Sequence, residues 1–304
     1  MDPIREKILN RSKETRQDML GKTLSYASIF LIVAVVLAIF AFVASKGIAT
    51  FTQNNASLKE FLTGTEWNPN ATVAGRPQVG ALPMILGSFG VTLLAALFAT
   101  PFAIGTALYM TELSTKRSQR FMQSVIELLV GIPSVVYGFI GLTTVVPFVR
   151  DHFGGSGYGI LSGSFVLFVM VLPTITSMTV DSLKAVPKHY KSASLALGAT
   201  EWQTIYRVLL RAALPGIMTA IVFGMARAFG EALAVQMVIG NATLLPESLL
   251  APASTLTSVL TMGIGNTVMG TVANNALWSL ALILLLMSLV FNIAVRFISR
   301  KGKM

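Results

Sequence analysis

Long apolar runs separated by short polar segments set the pattern of this chain. Six of these runs are long enough, at about 20 residues or more, to cross the hydrocarbon core of a bilayer as helices. They are residues 24–45, 81–111, 121–149, 160–180, 212–239 and 277–295. The pattern therefore predicts an all-α polytopic membrane bundle of six transmembrane helices.

A further uncharged stretch, residues 255–273, is interpreted differently. It is rich in Thr, Ser, Gly and Asn rather than in large apolar side chains. Polar stretches at membrane depth are tolerated where they are buried against protein, so we expect helical or re-entrant structure here. The first outer loop, residues 46–79, is either a small cap or a plain linker.

The composition and the placement of charge support this topology. Hydrophobic residues make up 54% and charged residues 12% of the 304 positions, as expected for a membrane protein. Most of the 23 Lys and Arg residues lie on the N-terminal segment, alternate loops and the C-terminal tail. By the positive-inside rule, both termini are predicted to be cytoplasmic. The net charge of +10 thus needs no nucleic-acid partner. With no Cys and 2 His, no metal or other cofactor is expected.

A basic amphipathic segment, residues 186–215, joins the fourth and fifth predicted spans. Gly198 divides it into two predicted short helices, and Thr200 with Gln203 has the spacing of a capping box. The apolar positions that follow are predicted to share one helix face: Trp202, Ile205, Tyr206, Leu209 and Ala213. Such a helix pair suits docking into a groove of a soluble partner, although an interfacial helix without a partner is the alternative.

The spacing in this segment resembles the cytoplasmic coupling loop of bacterial ABC-importer permeases. That family's pattern is Glu-Ala-Ala, three residues, Gly, nine residues, then Ile-x-Leu-Pro. Ala193, Gly198 and Val208 fit the pattern, whereas Ser192 and Ser194 replace the Glu and the second Ala. The Leu-Pro pair comes four residues late, which is about one helical turn. The resemblance implies that soluble ATP-binding subunits grip this loop, with Thr200 and Trp202 inside it.

Charged residues within predicted spans are functional candidates, because burying them costs at least ~2.5–3.5 kcal/mol. Arg227 and Glu231 are four residues apart in the fifth span, so they are predicted to share a face and pair. Either Arg227 meets an anionic substrate in the passage, or the two charges only hold the bundle together. Glu127, about two turns into the third span, has either a transport role or a structural one. Gly131 and Pro133, further along the same span, are predicted to allow a bend there.

The sequence around these residues is similar to permeases of phosphate-specific ABC importers. The similarity is carried by residues 227–235, 239–241 and 127–138. The segment after Glu231 and the long first outer loop fit the PstC type better than the companion PstA type. Covering roughly residues 80–298, the resemblance implies passage of inorganic phosphate into the cell.

The resemblance also implies partners and a division of the chain. The partners are two ATP-binding subunits, a homologous PstA-like permease and an extracytoplasmic phosphate-binding protein. Residues 80–298 form the permease domain. They are preceded by residues 1–79, which hold the cytoplasmic N-terminus, first span and outer loop, and are followed by the tail, residues 299–304.

Other functions are weighed against this hypothesis. The cargo could be another oxyanion such as sulfate or molybdate, or the chain could be the PstA-type subunit. A secondary transporter or channel without an ATPase is opposed by the coupling-loop pattern. An enzyme acting in the membrane is disfavoured, because the sequence offers no plausible nucleophile–base pair or metal cluster.

Overall fold

The computed structural model describes residues 13–73 and 75–301. The chain divides into two compact units, and the boundary along the sequence falls between Lys46 and Gly47. Most of the basic N-terminal segment and the last three residues of the predicted cytoplasmic tail lie outside the described residues.

The described residues are mostly helical, as the apolar runs predict. The helices are α1 (Lys13–Thr52), α2 (Leu58–Thr63), α3 (Leu82–Leu108), α4 (Lys116–Gly131), α5 (Ser134–Ile140), α6 (Val146–Phe153), α7 (Ile160–Lys184), α8 (Lys188–Ala196), α9 (Glu201–Thr204), α10 (Leu210–Phe229), α11 (Leu233–Val238), α12 (Leu256–Ile264) and α13 (Val272–Lys301). Three π-helical turns extend or connect them: Tyr109–Leu113, Gly141–Val145 and Ile205–Leu209.

Five helices are long and apolar enough to cross a membrane, and a bent pair makes a sixth span if it is counted as one. The all-α bundle is thus confirmed. The first candidate span, Gln17–Thr52, exposes apolar side chains all around its N-terminal part. A helix that is apolar on every side is stable in contact with lipid.

Two of the predicted spans differ in detail from the pattern. The third bends by 92° between α4 and α5, where Pro133 interrupts the helix at the predicted bend. For the fifth span, the predicted boundaries, residues 212 and 239, are both wrong. Its continuous helix begins at Glu201, because Thr200 caps it, and ends at Phe229 before Gly230.

The uncharged stretch after residue 254 contains the short helix α12. Its nine residues reach about 14 Å, which is too short to cross a bilayer. Thr255 caps the helix, and its first turn is buried, including Thr257 and Ser258. The prediction of helical structure buried against protein is confirmed for this first turn, whereas Met262, Val268 and Met269 further along the stretch are exposed.

The first outer loop, for which a small cap and a plain linker were the alternatives, is not a plain linker. It contains an antiparallel hairpin of β1 (Trp67–Val73) and β2 (Arg76–Val79). Phe61 and Val79 are almost fully buried beside it, and both belong to an apolar cluster that includes α13. The loop is therefore a small folded cap.

The bundle centre is built on small residues of α3 that face α7. Ala95, Ala99, Ala103 and Ala107 recur every fourth position, and each is fully buried. Small side chains at this spacing let the backbones of two membrane helices approach closely. The stripe brings α7 and its polar residues against α3.

Enlarging one residue of this stripe is expected to destabilise the protein. Ala99→Leu adds a branched side chain where no space exists, and such overpacking costs about 1–3 kcal/mol. The thermal unfolding temperature in detergent should fall. Leu97 lies on the same helix and is 68% exposed. Leu97→Phe is therefore the control and should change the unfolding temperature little. Equal unfolding temperatures for both variants would contradict close packing at the stripe.

Candidate functional site

Arg227 lies two residues before the end of α10 and points into the bundle. Its Nη1 donates a hydrogen bond of 2.7 Å to Oγ1 of Thr174 on α7. Arg227 is half-buried, and Thr174 is buried at 9% exposure. Sequence reasoning missed Thr174, although a hydroxyl next to Pro173 within an apolar span was the available signal.

The predicted pairing of Arg227 with Glu231 is wrong. Pairing at a spacing of four needs a continuous helix, and α10 ends at Phe229. The Glu231 backbone N–H donates to Ala228 O, and its Oε1 accepts from the N–H of Ala234 at 3.3 Å. In the described part of the chain, ion pairs within 4.0 Å involve other residues. The charged groups of Arg227 and Glu231 therefore form hydrogen bonds with different partners.

A small pocket lies at the junction of α3, α7, α10, α11 and α12, and we call it the hydroxyl pocket. Its polar lining is Glu231 and a set of hydroxyls: Ser88, Thr92, Thr255 and Thr257. Thr257 Oγ1 donates to Glu231 O at 2.8 Å, and the N–H of Leu256 donates to Ser88 Oγ at 2.9 Å. The free volume of about 10 Å³ holds at most one water molecule. The space between the helices at this pocket is therefore too small to admit an oxyanion.

Glu127 lies elsewhere. It is exposed on α4, where its Oε1 accepts a 2.9 Å hydrogen bond from Nε2 of Gln123. It does not line the hydroxyl pocket. Its role in transport or in structure stays a prediction.

The segment between α7 and α10 folds as the predicted helix pair. Helices α8 and α9 flank Gly198, whose φ is +82°. The capping box is confirmed: the Gln203 N–H donates to Thr200 Oγ1 at 3.2 Å, and the Thr200 N–H donates to Gln203 Oε1 at 3.0 Å. The second helix does not stop but continues through a π turn into the fifth span.

The predicted common face of this second helix is wrong in part. Ile205 and Leu209 are buried, whereas Trp202 and Tyr206 are 65% and 61% exposed. The physical reason is the turn Ile205–Leu209, in which i→i+5 hydrogen bonding shifts the register of the helix faces. Ala213, beyond the turn, is buried.

The helix pair therefore presents large apolar side chains to its surroundings. We call these residues the coupling surface: Tyr190, Leu195, Leu197, Trp202 and Tyr206. Leu197, beside Gly198, is 89% exposed. Exposed apolar patches of this kind mark sites of protein interaction.

Polar contacts hold the coupling surface on the bundle. Lys191 Nζ lies 2.6 Å from Oε2 of Glu112, on the π turn that extends α3. The hydroxyls of Ser194 and Thr204 are 2.8 Å apart and join the two helices. The other predicted coupling residues are exposed or half-buried on the same helices: Ser192, Ala193 and Val208.

The described part of the chain is a polytopic helical bundle with a half-buried interior cation and an exposed basic helix pair, as expected for a membrane permease. A family model described as binding-protein-dependent transport system inner membrane component matches residues 99–303. The chain belongs to this family, and it is an inner-membrane permease of the ABC-importer type.

Curated relatives agree with this family. The probable ABC transporter permease protein YqgH of Bacillus subtilis is 48% identical over 303 residues, which cover 99% of this chain and 97% of the relative. The phosphate transport system permease protein PstC of Mesorhizobium japonicum is 34% identical, covering 78% and 77%. PstC 1 of Mycobacterium tuberculosis is 33% identical, covering 79% and 81%.

Solved structures share the fold. A chain of a bacterial alginate ABC transporter, in complex with alginate-bound periplasmic protein, matches with a TM-score of 0.63 at 15% identity. The match covers 94% of this chain and 96% of that chain. A chain of the MetNI methionine ABC transporter matches with a TM-score of 0.55 at 20% identity, covering 71% and 93%. At such identities the likeness concerns the fold alone.

Proposed function

We propose that this chain is the permease subunit through which an ATP-driven importer passes inorganic phosphate into the cell. The observation that carries the proposal is Arg227, a cation inside the bundle that is hydrogen-bonded to a neutral hydroxyl of Thr174. A guanidinium without a carboxylate partner keeps its charge and several donors for an anion. Its planar fork can hold two oxygens of a phosphate at once.

The relatives support phosphate as the cargo. Two of them, from different bacteria, are named phosphate transport system permeases and match about four-fifths of this chain. Sulfate and molybdate are also tetrahedral oxyanions that a guanidinium would attract, so these anions belong in any test of the cargo.

The coupling surface supports a division of labour among subunits. Its apolar, basic helices suit a groove on one of two ATP-binding subunits, which would hydrolyse ATP while this chain moves the anion. A homologous PstA-like permease would complete the membrane passage, and an extracytoplasmic phosphate-binding protein would deliver the anion.

The test of this proposal is uptake by the purified complex in proteoliposomes. The binding protein and labelled phosphate are supplied outside and ATP inside. We expect uptake that needs ATP and all the subunits, with labelled sulfate or molybdate not accumulated. Accumulation of sulfate instead of phosphate, or uptake without ATP, would overturn the proposal.

Cysteine labelling tests the orientation, since the chain has no Cys of its own. Asn68 on the cap and Lys188 at the start of α8 are both exposed. A cysteine at position 68 should react with a membrane-impermeant maleimide in intact cells. A cysteine at position 188 should react only after permeabilisation. The reverse result would contradict the cytoplasmic location of the coupling surface.

A further inference from the structure

The separation of Arg227 from Glu231 gives each charge a free side. The guanidinium is held by a hydroxyl on α7, and the carboxylate accepts a 3.3 Å bond at the start of α11. That bond occupies Oε1, and a carboxylate offers two oxygens with several lone pairs. The break after Phe229 therefore presents a donor group and an acceptor group along one short stretch of the chain.

The guanidinium of Arg227 and the carboxylate of Glu231 interact with different features of an oxyanion. Arg227 cannot separate phosphate from sulfate, because both present tetrahedrally arranged acceptor oxygens to its donors. An ionised carboxylate only accepts hydrogen bonds, so it repels an anion that has acceptors alone. Phosphate near neutral pH keeps at least one P–OH group, whereas sulfate has none.

We propose that Glu231 is a specificity-determining residue that accepts a hydrogen bond from the P–OH group of phosphate and excludes oxyanions without a proton. This inference rests on the proposed function and adds selection within the permease itself. Arg227 supplies attraction for any oxyanion, and Glu231 supplies rejection of the unprotonated ones. A site built to hydrogen-bond a substrate hydroxyl discriminates strongly against analogues that lack it.

The hydroxyl pocket is the place where this selection acts. It adjoins Glu231 and is lined by neutral groups that donate or accept, including Thr92 and Thr255. The closed pocket is too small for phosphate, so α11 and α12 must move away from α3 for an anion to pass. The carboxylate then borders the opened passage, and hydroxyls surround the oxygens that Arg227 does not bind.

The inference is tested by competition for labelled phosphate bound to the purified complex without the binding protein. Arsenate, which has the shape and the protonated oxygen of phosphate, should compete in the wild type. Sulfate should compete at least about tenfold more weakly. Glu231→Gln replaces an acceptor-only group by one that also donates, and sulfate should then compete as well as arsenate does.

Glu247→Gln is the matched control, because Glu247 is exposed on the loop after α11 and the same charge is removed. It should keep the wild-type preference for arsenate over sulfate. Equal competition by sulfate and arsenate in the wild type would overturn the inference, as would an unchanged preference in Glu231→Gln. The proposed function fails separately, if the wild-type complex neither binds phosphate nor takes it up.

Discussion

Replacing Arg227 by Gln is expected to abolish phosphate uptake while the complex still assembles. Glutamine can still donate to Thr174, but it has neither the charge nor the planar fork of donors. Two charge-assisted hydrogen bonds of ~1.5–3 kcal/mol each correspond to a loss of about 100-fold or more. Assembly should survive, because Arg227 has no carboxylate within ion-pair distance among the described residues, so none is left unpaired.

Two further variants separate charge from geometry at this position. Arg227→Lys keeps the charge and loses the fork, so uptake should be restored only in part. Thr174→Val removes the acceptor that orients the guanidinium and should lower uptake less than Arg227→Gln does. Uptake rates and subunit recovery are measured on the same preparations. Wild-type uptake by Arg227→Gln would show that Arg227 has a structural role only.

Replacing Gly198 by Val is expected to prevent stable association with the ATP-binding subunits. The φ of +82° lies in the left-handed region, which costs an ordinary residue about 1–2 kcal/mol and a β-branched one more. Apart from its two chain neighbours, no described residue has a heavy atom within 4 Å of the position where a Cβ would stand, so the backbone and not space is limiting. Relieving the strain would reorient α8 against α9 and displace Leu197.

The matched control at this position is Gly198→Asn. Asparagine is also larger than glycine but adopts the left-handed conformation at low cost. Pull-down of the ATP-binding subunits should be strongly reduced for Gly198→Val and nearly normal for Gly198→Asn, with equal amounts of both variants in the membrane. Equal loss in both variants would mean that the partner excludes any side chain there. Normal binding by both would argue against docking at this turn.

The sequence determined the features that depend on local pattern. The long apolar runs located the spans, because a helix satisfies its own backbone hydrogen bonds in lipid. Pro133 located the bend of the third span, and Thr200 with Gln203 located the start of a helix. Capping and helix interruption act within a few residues, so they can be read without knowing what packs nearby.

The tertiary structure decided which polar groups meet. Thr174 reaches Arg227 from a position 53 residues away, and Ser88 meets the segment at Leu256 from 168 residues away. Neither contact leaves a periodic signal, because each joins residues that are far apart along the chain and meet only when the helices pack. The break at Gly230 likewise separated two charges that an uninterrupted helix would have paired. Helix ends and π turns change which side chains share a face, and packing of the whole bundle selects between these alternatives.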